Sequence, residues 1–344
     1  CEILDNRNFT SNSFINYSKT QIIMKNSIVV IGGGESGVGA AFLANKNGYD
    51  VFLSEFNTIE KKYKKILEDN HINYEEGGHT LNKCFSAREI VKSPGISNNS
   101  EIIIKIKSKN IPIISEIEFA YRFTNSILIG VTGSNGKTTT SSLIYHILKS
   151  SGKSVGLAGN IGNSFSFLTA ENSFEYIVLE LSSFQLDDVN DFNPFISIIT
   201  NITPDHLERY EYNFQNYVNS KFKITSNQSS ADYFIYNSDD NKINSELNNR
   251  IINSTKISFS YMNNKEHNLT YVKNNNINSY INNTSFMIPI ENLSIKGKHN
   301  IQNSMAAATV AKILNISDEK IRESLGNFQS INHRLEHVLT IQKV

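Results

Sequence analysis

The chain has 344 residues, enough for two domains of ordinary size, and its 39% hydrophobic content excludes wholesale disorder. Its 33 basic residues balance 33 acidic residues, which argues against a nucleic-acid-binding or membrane-surface protein, and its two cysteines exclude a disulfide framework. Because no apolar run reaches membrane-spanning length and no signal-peptide core is present, we expect a cytoplasmic protein with no membrane or nucleic-acid partner.

The N-terminal segment, residues 1–23, is polar and lacks any hydrophobic periodicity. The first methionine is Met24, and the first apolar strand follows shortly after it. We therefore predict that residues 1–23 are a disordered tail and that Met24 is the true start.

A glycine-rich turn at residues 32–34 follows the first predicted strand, at residues 27–31. A helical stretch comes next, and then a second strand that ends in an acid, Glu55, about 20 residues after the glycines. This order is typical of a nucleotide-binding βαβ unit, although a glycine-rich turn is equally often a matter of tight packing. Short strands near residues 90–96 and 111–115 continue the α/β pattern.

The clearest motif is a phosphate-binding loop between a strand at residues 126–131 and a helix that starts after Gly136. Its glycines allow backbone N–H groups to surround an anion at the helix N-terminus. Lys137 can then reach the phosphates, and the Thr138 hydroxyl can coordinate Mg²⁺. The usual spacing places a glycine where this chain has Val131, so the loop is a variant. A plain helix-capping turn is the alternative, but Gly-Lys-Thr between a strand and a helix favours phosphate binding.

Acidic residues and a histidine follow two later buried strands. Glu180 ends the strand at residues 176–179, and Asp205 and His206 follow the strand at residues 196–200. Because ligands of open parallel sheets bind at the carboxyl ends of strands, we expect these side chains at the same edge as the phosphate loop. A lone histidine is more often a hydrogen-bonded surface residue, but its neighbours favour a role for His206 as a metal ligand.

Lys221 is predicted to lie on an apolar helix face, because Phe214, Tyr217 and Val218 precede it at helical spacing. One interpretation is a lysine whose stem is buried while its amine reaches solvent. The other is a desolvated amine of lowered pKa that reacts with CO₂ and so becomes an oxygen ligand for a metal. Spacing alone favours the first interpretation.

Taken together, these motifs resemble the Mur ligases, which add amino acids to the UDP-linked muramoyl precursor of peptidoglycan. The resemblance extends from about residue 27 to about residue 338, and the block at residues 179–186 is most similar to the members that add D-glutamate. Five blocks occur in the order found in this family: Gly133–Thr138, Leu179–Leu186, Asn201–Tyr210, Gly297–Asn303 and His333–Glu336.

The resemblance implies an α/β protein with an N-terminal Rossmann-like domain and a central P-loop ATPase domain that contains a mostly parallel sheet. After the tail, it implies a UDP-binding domain at residues 24–115, an ATP-binding domain at 116–331 and the start of a further domain at 332–344. In the family this third domain supplies most contacts to D-glutamate. We therefore expect the chain to bind the UDP substrate but not to ligate D-glutamate on its own. We also expect a monomer.

The implied activity is the ATP-dependent ligation of D-glutamate to UDP-N-acetylmuramoyl-L-alanine in peptidoglycan synthesis. The substrate carboxylate attacks the γ-phosphate of ATP, and the D-glutamate amine then attacks the acyl phosphate. Catalysis of this kind is mainly positioning and charge neutralisation. The implied cofactors are ATP, two Mg²⁺ ions and a carbamylated Lys221, whose spacing from Tyr217 matches the family.

The resemblance also implies which residues carry these steps. The catalytic residues are Lys137, Glu180, His206 and Lys221, and the metal ligands are Thr138, Glu180, His206 and Lys221. The ATP-binding residues are Gly133, Asn135, Gly136, Lys137, Thr138, Thr139, Asn303 and Arg334, with Asn303 at the adenine edge and Arg334 at the phosphates. The residues that contact the UDP substrate are Glu35, Ser36, Glu55, Ser93, Gly95, Asn160, Ser182 and Gln185.

Alternative functions stay open at this point. Sister ligases that add other amino acids, and folylpolyglutamate synthase, share the phosphate loop but differ in the block around Ser182 and Gln185. A non-catalytic nucleotide-binding paralogue would be expected to have lost Lys137, Glu180 or His206, and all three are present. An NAD oxidoreductase is disfavoured, because the phosphate loop would then have no role.

Overall fold

The structure is a computed structural model that describes residues 27–262, 269–281 and 284–329. Four of the sequence predictions lie outside these described residues: the tail at 1–23, the start at Met24, the ATP ligand Arg334 and the domain start at 332–344. Everything that follows concerns the described part of the chain.

The first sheet contains five parallel strands among the described residues. They are β1 (Ser27–Ile31), β2 (Asp50–Ser54), β3 (Asn73–Glu75), β4 (Glu89–Lys92) and β5 (Ile113–Ser115). The helices that connect them are α1 (Glu35–Lys46), α2 (Lys61–Asp69), α3 (Leu81–Phe85) and α4 (Glu101–Lys107). The strand order is β3-β2-β1-β4-β5, so the direction of winding reverses between β1 and β4. A crevice at such a reversal is the usual ligand site of an open parallel sheet.

The second sheet contains nine strands among the described residues. They are β6 (Ile127–Thr132), β7 (Val155–Gly159), β8 (Tyr176–Glu180), β9 (Ile196–Ile199), β10 (Tyr233–Asn237), β11 (Thr255–Ser260), β12 (Leu269–Lys273), β13 (Asn276–Ile281) and β14 (Thr284–Pro289). The strand order is β14-β13-β12-β11-β10-β9-β6-β8-β7, and all pairs from β7 to β12 are parallel. The predicted α/β class, with a mostly parallel second sheet, is confirmed.

Helices cover both faces of the second sheet, which explains why its central strands are almost continuously apolar. Helix α5 (Glu116–Tyr121) precedes this sheet. The later helices are α6 (Lys137–Ser150), α7 (Phe165–Glu171), α8 (Ser183–Leu186), α9 (Phe214–Phe222), α10 (Asn241–Leu247), α11 (Lys298–Ile313) and α12 (Asp318–Asn327). Because β6 lies between β8 and β9, the residues at the carboxyl ends of these three strands meet at one edge of the sheet.

The asparagine-rich sequence of residues 240–285, with its short alternating segments, predicts β-hairpins or loops at one edge of the sheet, and the structure agrees only in part. The antiparallel strands β12, β13 and β14 do form the edge of the second sheet. Thr255–Ser260 instead pairs in parallel with Tyr233–Asn237 inside the sheet, and Asn241–Leu247 is the helix that connects them. The asparagine-rich composition hid this βαβ unit because asparagine favours turns and caps over strand or helix interiors.

The two sheets are joined by hydrogen-bonded carboxylates as well as by apolar packing. Helix α1 packs on α7, where the Phe42 and Phe167 rings lie 5.7 Å apart. Glu35 accepts a hydrogen bond from the backbone N–H of Ser164 at 2.9 Å, and Glu116 accepts one from the backbone N–H of Ser166.

No helix among the described residues is long and apolar enough to span a membrane.

Candidate active site

The phosphate loop occupies the predicted position, between β6 and α6. Gly136 lies immediately before the helix and has a left-handed backbone with φ of 82°, and Gly133 has φ of 149°. A Cβ atom on Gly133 would lie only 2.0 Å from the Thr200 hydroxyl, and one on Gly136 would lie 2.4 Å from Oδ1 of Asn303. Both positions therefore require glycine for conformation and for space.

Residues after β9 hold the phosphate loop in place. The Asn201 side chain accepts a hydrogen bond from the Asn135 backbone N–H at 2.9 Å, and its own amide donates to the Asn135 carbonyl oxygen at 2.9 Å. The Thr200 hydroxyl donates to the same carbonyl oxygen at 2.7 Å. The loop is thus fixed by residues that follow the neighbouring strand. At the start of the helix, Thr138 is exposed and Thr139 is half-buried.

Lys137 folds back over the loop that precedes it. Its amine donates hydrogen bonds to the carbonyl oxygens of Gly133 and Ser134, each at 2.9 Å. Burial lowers the pKa of Lys137, and the negative charges of Glu180 and Asp205 oppose that shift. The amine therefore lies in a partly desolvated position, where it feels the charges of the predicted metal ligand Glu180 and of Asp205.

Lys221 lies in the core, against the underside of the same loop, with 1% of its surface exposed. Its amine donates a hydrogen bond to the Gly133 carbonyl oxygen at 2.7 Å and lies 4.6 Å from the centre of the Tyr217 ring. Burial lowers the pKa of Lys221 to about 7, and the nearby charge of Lys137 acts in the same direction. The buried amine, and not the solvent-reaching lysine, is the interpretation that matches the structure.

Tyr217 and Ser134 connect the helix of Lys221 to the phosphate loop. The two hydroxyl groups lie 3.0 Å apart, and the Ser134 hydroxyl also donates to the Thr203 carbonyl oxygen at 2.8 Å. The backbone N–H of Thr203 donates back to that hydroxyl at 2.9 Å. Neither hydroxyl was predicted as part of the site, since the sequence motif shows only that Ser134 lies in the loop.

Glu180 is buried at the end of β8, with 1% of its surface exposed. One carboxylate oxygen accepts a hydrogen bond from the Asn160 side chain at 2.8 Å. The other oxygen is buried and has no hydrogen-bond partner among the described residues. A buried carboxylate oxygen without a partner costs free energy unless a donor or a cation occupies the space beside it.

His206 begins the short 3₁₀ helix at Leu207–Tyr210 and has a left-handed backbone with φ of 48°. Its ring is 57% exposed and lies 3.7 Å from carboxylate oxygens of both Asp205 and Glu208. The Phe184 ring lies 5.5 Å away. His206 is therefore an accessible imidazole at the rim of the site, close to two carboxylates.

A cleft of about 310 Å³ lies between these residues and the first sheet. It is lined by Pro94, Gly95, Lys137, Asn160, Ser182, Ser183, Phe184, Asp205, His206, Tyr217 and Lys221. The structure thus brings together six predicted site residues, namely Lys137, His206, Lys221, Gly95, Asn160 and Ser182. The cleft extends from the first sheet to the phosphate loop of the second.

The side chains at this site could supply some of the ligands that a divalent cation needs, but not all of them. The unpartnered Glu180 oxygen is a hard ligand, and Mg²⁺ characteristically combines one or two carboxylates with phosphate oxygens and water. Among the described residues no group of three or more His, Cys, Asp and Glu side chains forms a complete metal site, so phosphate oxygens and the Thr138 hydroxyl would complete the coordination. Lys221 fits only as a carbamate, because Mg²⁺ prefers oxygen ligands to an amine nitrogen.

Asn303, the predicted adenine contact, lies on α11 directly beside the phosphate loop. It is almost fully buried, and its Oδ1 accepts a weak hydrogen bond from the Thr140 hydroxyl at 3.3 Å. Its amide nitrogen lies 3.5 Å from Oδ1 of Asn300. Asn303 is therefore close to Gly136 and the start of α6, with weakly engaged polar atoms.

The predicted UDP contacts of the first sheet surround its glycine-rich turn. Glu55 accepts hydrogen bonds from the Gly33 and Asn57 backbone N–H groups, at 2.5 Å and 2.8 Å. The buried Ser93 hydroxyl has no partner among the described residues and lies 2.5 Å from the position that a Cβ atom on Gly32 would take. Glu55 therefore holds the turn, whereas Ser93 presents a free hydroxyl to it. The other predicted contacts here, Glu35 and Ser36, are half-buried at the start of α1.

Ser182 and Gln185 cap the short helix α8 in this structure. The Ser182 hydroxyl accepts from the Gln185 backbone N–H at 3.3 Å, and the Gln185 side-chain oxygen accepts from the Ser182 backbone N–H at 3.0 Å. This reciprocal pattern is a capping box. Gln185 is buried and occupied by the cap, while Ser182 lines the cleft.

Arg209 was not predicted as a site residue, although it falls within one of the quoted motif blocks. Its guanidinium group donates to the carbonyl oxygens of three consecutive residues of the first sheet's loop, and its central carbon lies 4.5 Å from the centre of the Phe184 ring. Backbone carbonyl groups leave no trace in a sequence, so nothing in the residue pattern identified this contact.

Family comparisons assign two parts of the chain. Residues 131–311 match the Mur ligase middle domain, and residues 27–102 match the MurD N-terminal domain. The UDP-N-acetylmuramoylalanine–D-glutamate ligase of Christiangramia forsetii is 50% identical over 93% of this chain and 72% of the relative. The ligase of the same name from Bacteroides fragilis is 47% identical over 92% of this chain and 71% of the relative.

Solved structures show the same fold at lower identity. The UDP-N-acetylmuramate:L-alanyl-gamma-D-glutamyl-meso-diaminopimelate ligase from Neisseria meningitides has a TM-score of 0.62 at 18% identity, covering 89% of this chain and 99% of that one. The UDP-N-acetylmuramate-alanine ligase from Thermotoga maritima has a TM-score of 0.54 at 21% identity, covering 89% and 69%.

Proposed function

The chain belongs to the Mur ligase family of ATP-dependent, amide-forming ligases, and from this premise we propose that it acts in joining D-glutamate to UDP-N-acetylmuramoyl-L-alanine. One observation carries the proposal. A single cleft places the phosphate-loop lysine Lys137, the buried Lys221 and the exposed His206 opposite Gly95 of the first sheet. A nucleoside triphosphate bound on one side of the cleft would meet a UDP-linked substrate bound on the other side.

The proposed reaction has two steps. A carboxylate oxygen of the UDP substrate attacks the γ-phosphorus of ATP, and ADP leaves with the electron pair of the broken P–O bond. The D-glutamate amine then attacks the carbonyl carbon of the acyl phosphate, releases inorganic phosphate and loses a proton. Lys137 would neutralise charge on the transferred phosphoryl group, which is the main contribution a protein makes to such a step.

The ATP side of the site would be built on α6. Backbone N–H groups at the start of α6, beside Thr138 and Thr139, would face the phosphates, because those of Ser134 and Asn135 are bonded to Asn201. Asn303 would read the adenine edge with its donor and acceptor pair, since its amide is only weakly engaged. Arg334, the predicted phosphate contact outside the described residues, stays a prediction.

The UDP side would be built on the first sheet, at the reversal between β1 and β4. The glycine-rich turn and the free Ser93 hydroxyl would receive the diphosphate, with Ser36 at the start of α1. Glu55 would act through the turn that it holds, and Glu35 through its contact with Ser164. The remaining contacts, Gly95, Asn160 and Ser182, would come from the cleft, with Gln185 holding Ser182 in place.

We place Mg²⁺ at Glu180 and Thr138, and a second Mg²⁺ at His206 and a carbamylated Lys221. When bound, these ions would polarise the γ-phosphate and offset the charge that develops on it. Glu180 offers the unpartnered oxygen, held in orientation by Asn160. Lys221 offers a buried amine whose pKa is lowered. The lowered pKa favours the neutral amine, which is the form that reacts with CO₂.

We also propose a domain division, an oligomeric state and a cellular location. The UDP-binding unit comprises residues 24–115, and the ATP-binding unit comprises residues 116–331. The protein acts as a monomer in the cytoplasm. Sister ligases with other amino acids are the alternative, and the block Ser182–Gln185 favours D-glutamate because it resembles the D-glutamate-adding members.

Calorimetry tests the proposal on the UDP side. We expect UDP-N-acetylmuramoyl-L-alanine to bind with one-to-one stoichiometry, and CDP or GDP to bind far more weakly. A Ser93→Ala variant removes the hydroxyl without adding bulk and should weaken binding of the UDP substrate, whereas Ser97→Ala, a few residues further along the same loop, should not. Binding of Mg·ATP without any binding of the UDP substrate would contradict the proposal.

A further inference from the structure

Arg209 connects the two sheets through three backbone carbonyl groups. Its Nη1 atom donates to the Gly95 carbonyl oxygen at 3.0 Å, and its Nη2 atom donates to those of Pro94 and Ile96, each at 2.6 Å. A planar guanidinium group can satisfy three acceptors in a fixed arrangement, which a lysine amine at the end of a flexible chain cannot do. The loop at residues 94–96 is thus shaped around one side chain of the second sheet.

The other face of Arg209 contacts the catalytic side of the cleft. The guanidinium carbon lies 4.5 Å from the centre of the Phe184 ring, and this ring lies 5.5 Å from the His206 ring. Arg209 and His206 also belong to the same short turn, in which the Arg209 backbone N–H donates to the His206 carbonyl oxygen at 3.1 Å. A displacement of the loop would therefore be transmitted to His206 through both the turn and the ring.

A second buried cation strengthens the same loop. Lys92, at the end of β4, is 1% exposed, and its amine donates to the Ile96 carbonyl oxygen at 3.0 Å. The same amine lies 2.9 Å from a carboxylate oxygen of Asp188, which belongs to the second sheet's domain. Among the residues that the structure describes, the loop therefore has two such cationic attachments across the cleft, and the one by Arg209 leads to His206.

We propose that Arg209 is a positioning residue that couples occupation of the UDP side of the cleft to the geometry of its nucleotide side. The inference rests on the proposed function, because it assumes that the loop at residues 94–96 faces a UDP-linked substrate. Each ligand would bind its own side without Arg209. What Arg209 adds is that binding of one ligand changes the affinity for the other, by the same factor in both directions.

The test is a thermodynamic cycle with a non-hydrolysable ATP analogue. Calorimetry gives the affinity for the Mg²⁺ complex of this analogue, with and without saturating UDP-N-acetylmuramoyl-L-alanine, in the unsubstituted chain, Arg209→Lys and Arg209→Gln. We expect the UDP substrate to change the affinity for the analogue about fivefold or more in the unsubstituted chain, the usual lower range for coupled sites. In both Arg209 variants this factor should fall below about twofold, while the affinity for each ligand alone changes little.

Arg250→Gln is the matched control. Arg250 also lies over a phenylalanine ring, with its guanidinium carbon 4.6 Å from the centre of Phe222, and it donates to Glu246, but it does not line the cleft. Its variant should keep the full coupling. Thermal unfolding of each variant separates loss of coupling from loss of the fold, and Arg209→Lys serves if Arg209→Gln does not fold.

The outcomes distinguish the inference from the proposed function. Unchanged coupling in Arg209→Lys, or the absence of coupling in an unsubstituted chain that binds both ligands, overturns the inference and leaves the proposed function standing. An unsubstituted chain that does not bind the UDP substrate overturns the proposed function, and the inference with it. Equal loss of coupling in Arg250→Gln shows a general structural effect and also overturns the inference.

Discussion

Lys137 and Lys221 share one hydrogen-bond acceptor, the carbonyl oxygen of Gly133. Their amines lie 2.9 Å and 2.7 Å from it, one from the solvent side of the phosphate loop and one from the core side. Two like charges so close to one another favour loss of a proton from the more buried amine. Burial lowers the pKa of Lys221 to about 7, and the charge of Lys137 adds to this shift, while Lys137 itself lines the cleft.

Carbamylation of Lys221 is the first prediction. An amine whose pKa lies near 7 is about half neutral at neutral pH and can attack CO₂, and the carbamate product carries a negative charge where a positive one would repel Lys137. Lys221→Ala should therefore lose ATP consumption that depends on the UDP substrate, and acetate or formate should restore part of it. Labelled bicarbonate should give a carbamate signal in the unsubstituted chain. Full activity of Lys221→Ala without any added carboxylate would refute the idea.

Lys137→Ala should abolish ATP-dependent chemistry while leaving the fold intact. Removal of one charge contact to the transition state usually costs about 10²-fold or more in rate. Lys149→Ala is the control, since Lys149 lies in the last turn of the same helix and far from the loop. Retention of more than about a tenth of the unsubstituted turnover by Lys137→Ala would contradict the role proposed for its amine.

Gly136→Ala should weaken ATP binding through Asn303. Gly136 and Gly152 have similar left-handed backbones, with φ of 82° and 76°, so alanine should cost roughly 1–2 kcal/mol of stability at either position. Only at Gly136 would the new methyl group displace a neighbour, because nothing lies within 4 Å at Gly152. We expect about a tenfold loss of ATP affinity, or ~1.4 kcal/mol, for Gly136→Ala alone. Equal ATP affinities of the two variants would rule out contact through Asn303.

Glu116 should make the protein less stable as the pH rises. Burial raises the pKa of Glu116 from 4.5 to about 7, so between these values the folded chain holds a proton that the unfolded chain has lost. The free energy of unfolding therefore falls from about pH 4.5 to about pH 7 and then levels off. Glu116→Gln removes this dependence and should be more stable than the unsubstituted chain above pH 7, by a difference on the order of 1–3 kcal/mol.

Glu118→Gln is the control for this prediction, because it lies on the same helix and is equally buried. Its carboxylate accepts hydrogen bonds from the backbone N–H groups of Asn190, Asp191 and Phe192, at 2.9, 3.0 and 3.0 Å. Loss of that charge should reduce the free energy of unfolding by about 1.5–3 kcal/mol at neutral pH. Chemical denaturation at pH 5 and pH 8 measures both variants, and a destabilised Glu116→Gln at pH 8 would contradict the assignment.

Features that depend on a few consecutive residues could be predicted from the sequence. The start of α6 at Lys137 follows from a left-handed glycine before it, and the position of Glu180 follows from a buried strand that ends in an acid. Both are properties of a few consecutive residues. The burial of Lys221 was stated only as one of two interpretations, because a helical pattern shows which face is apolar but not what covers it.

Contacts between distant segments could not be predicted in the same way. Arg209 binds carbonyl oxygens that lie 113 to 115 positions earlier in the chain, and any residue type could supply them. Gln185 illustrates a second limit, because a glutamine near a substrate and a glutamine in a capping box look identical in a sequence. Only the path of the backbone distinguishes them.

Trapping of the acyl phosphate tests the central claim most directly, namely that this cleft activates the carboxylate of UDP-N-acetylmuramoyl-L-alanine with ATP. The chain is incubated with ATP, Mg²⁺, the UDP substrate and hydroxylamine, whose nitrogen attacks the acyl phosphate in place of the D-glutamate amine. We predict a hydroxamate at the alanyl carboxylate by mass spectrometry, dependent on ATP and absent in Lys137→Ala. No hydroxamate from a chain that binds both ATP and the UDP substrate would contradict the account.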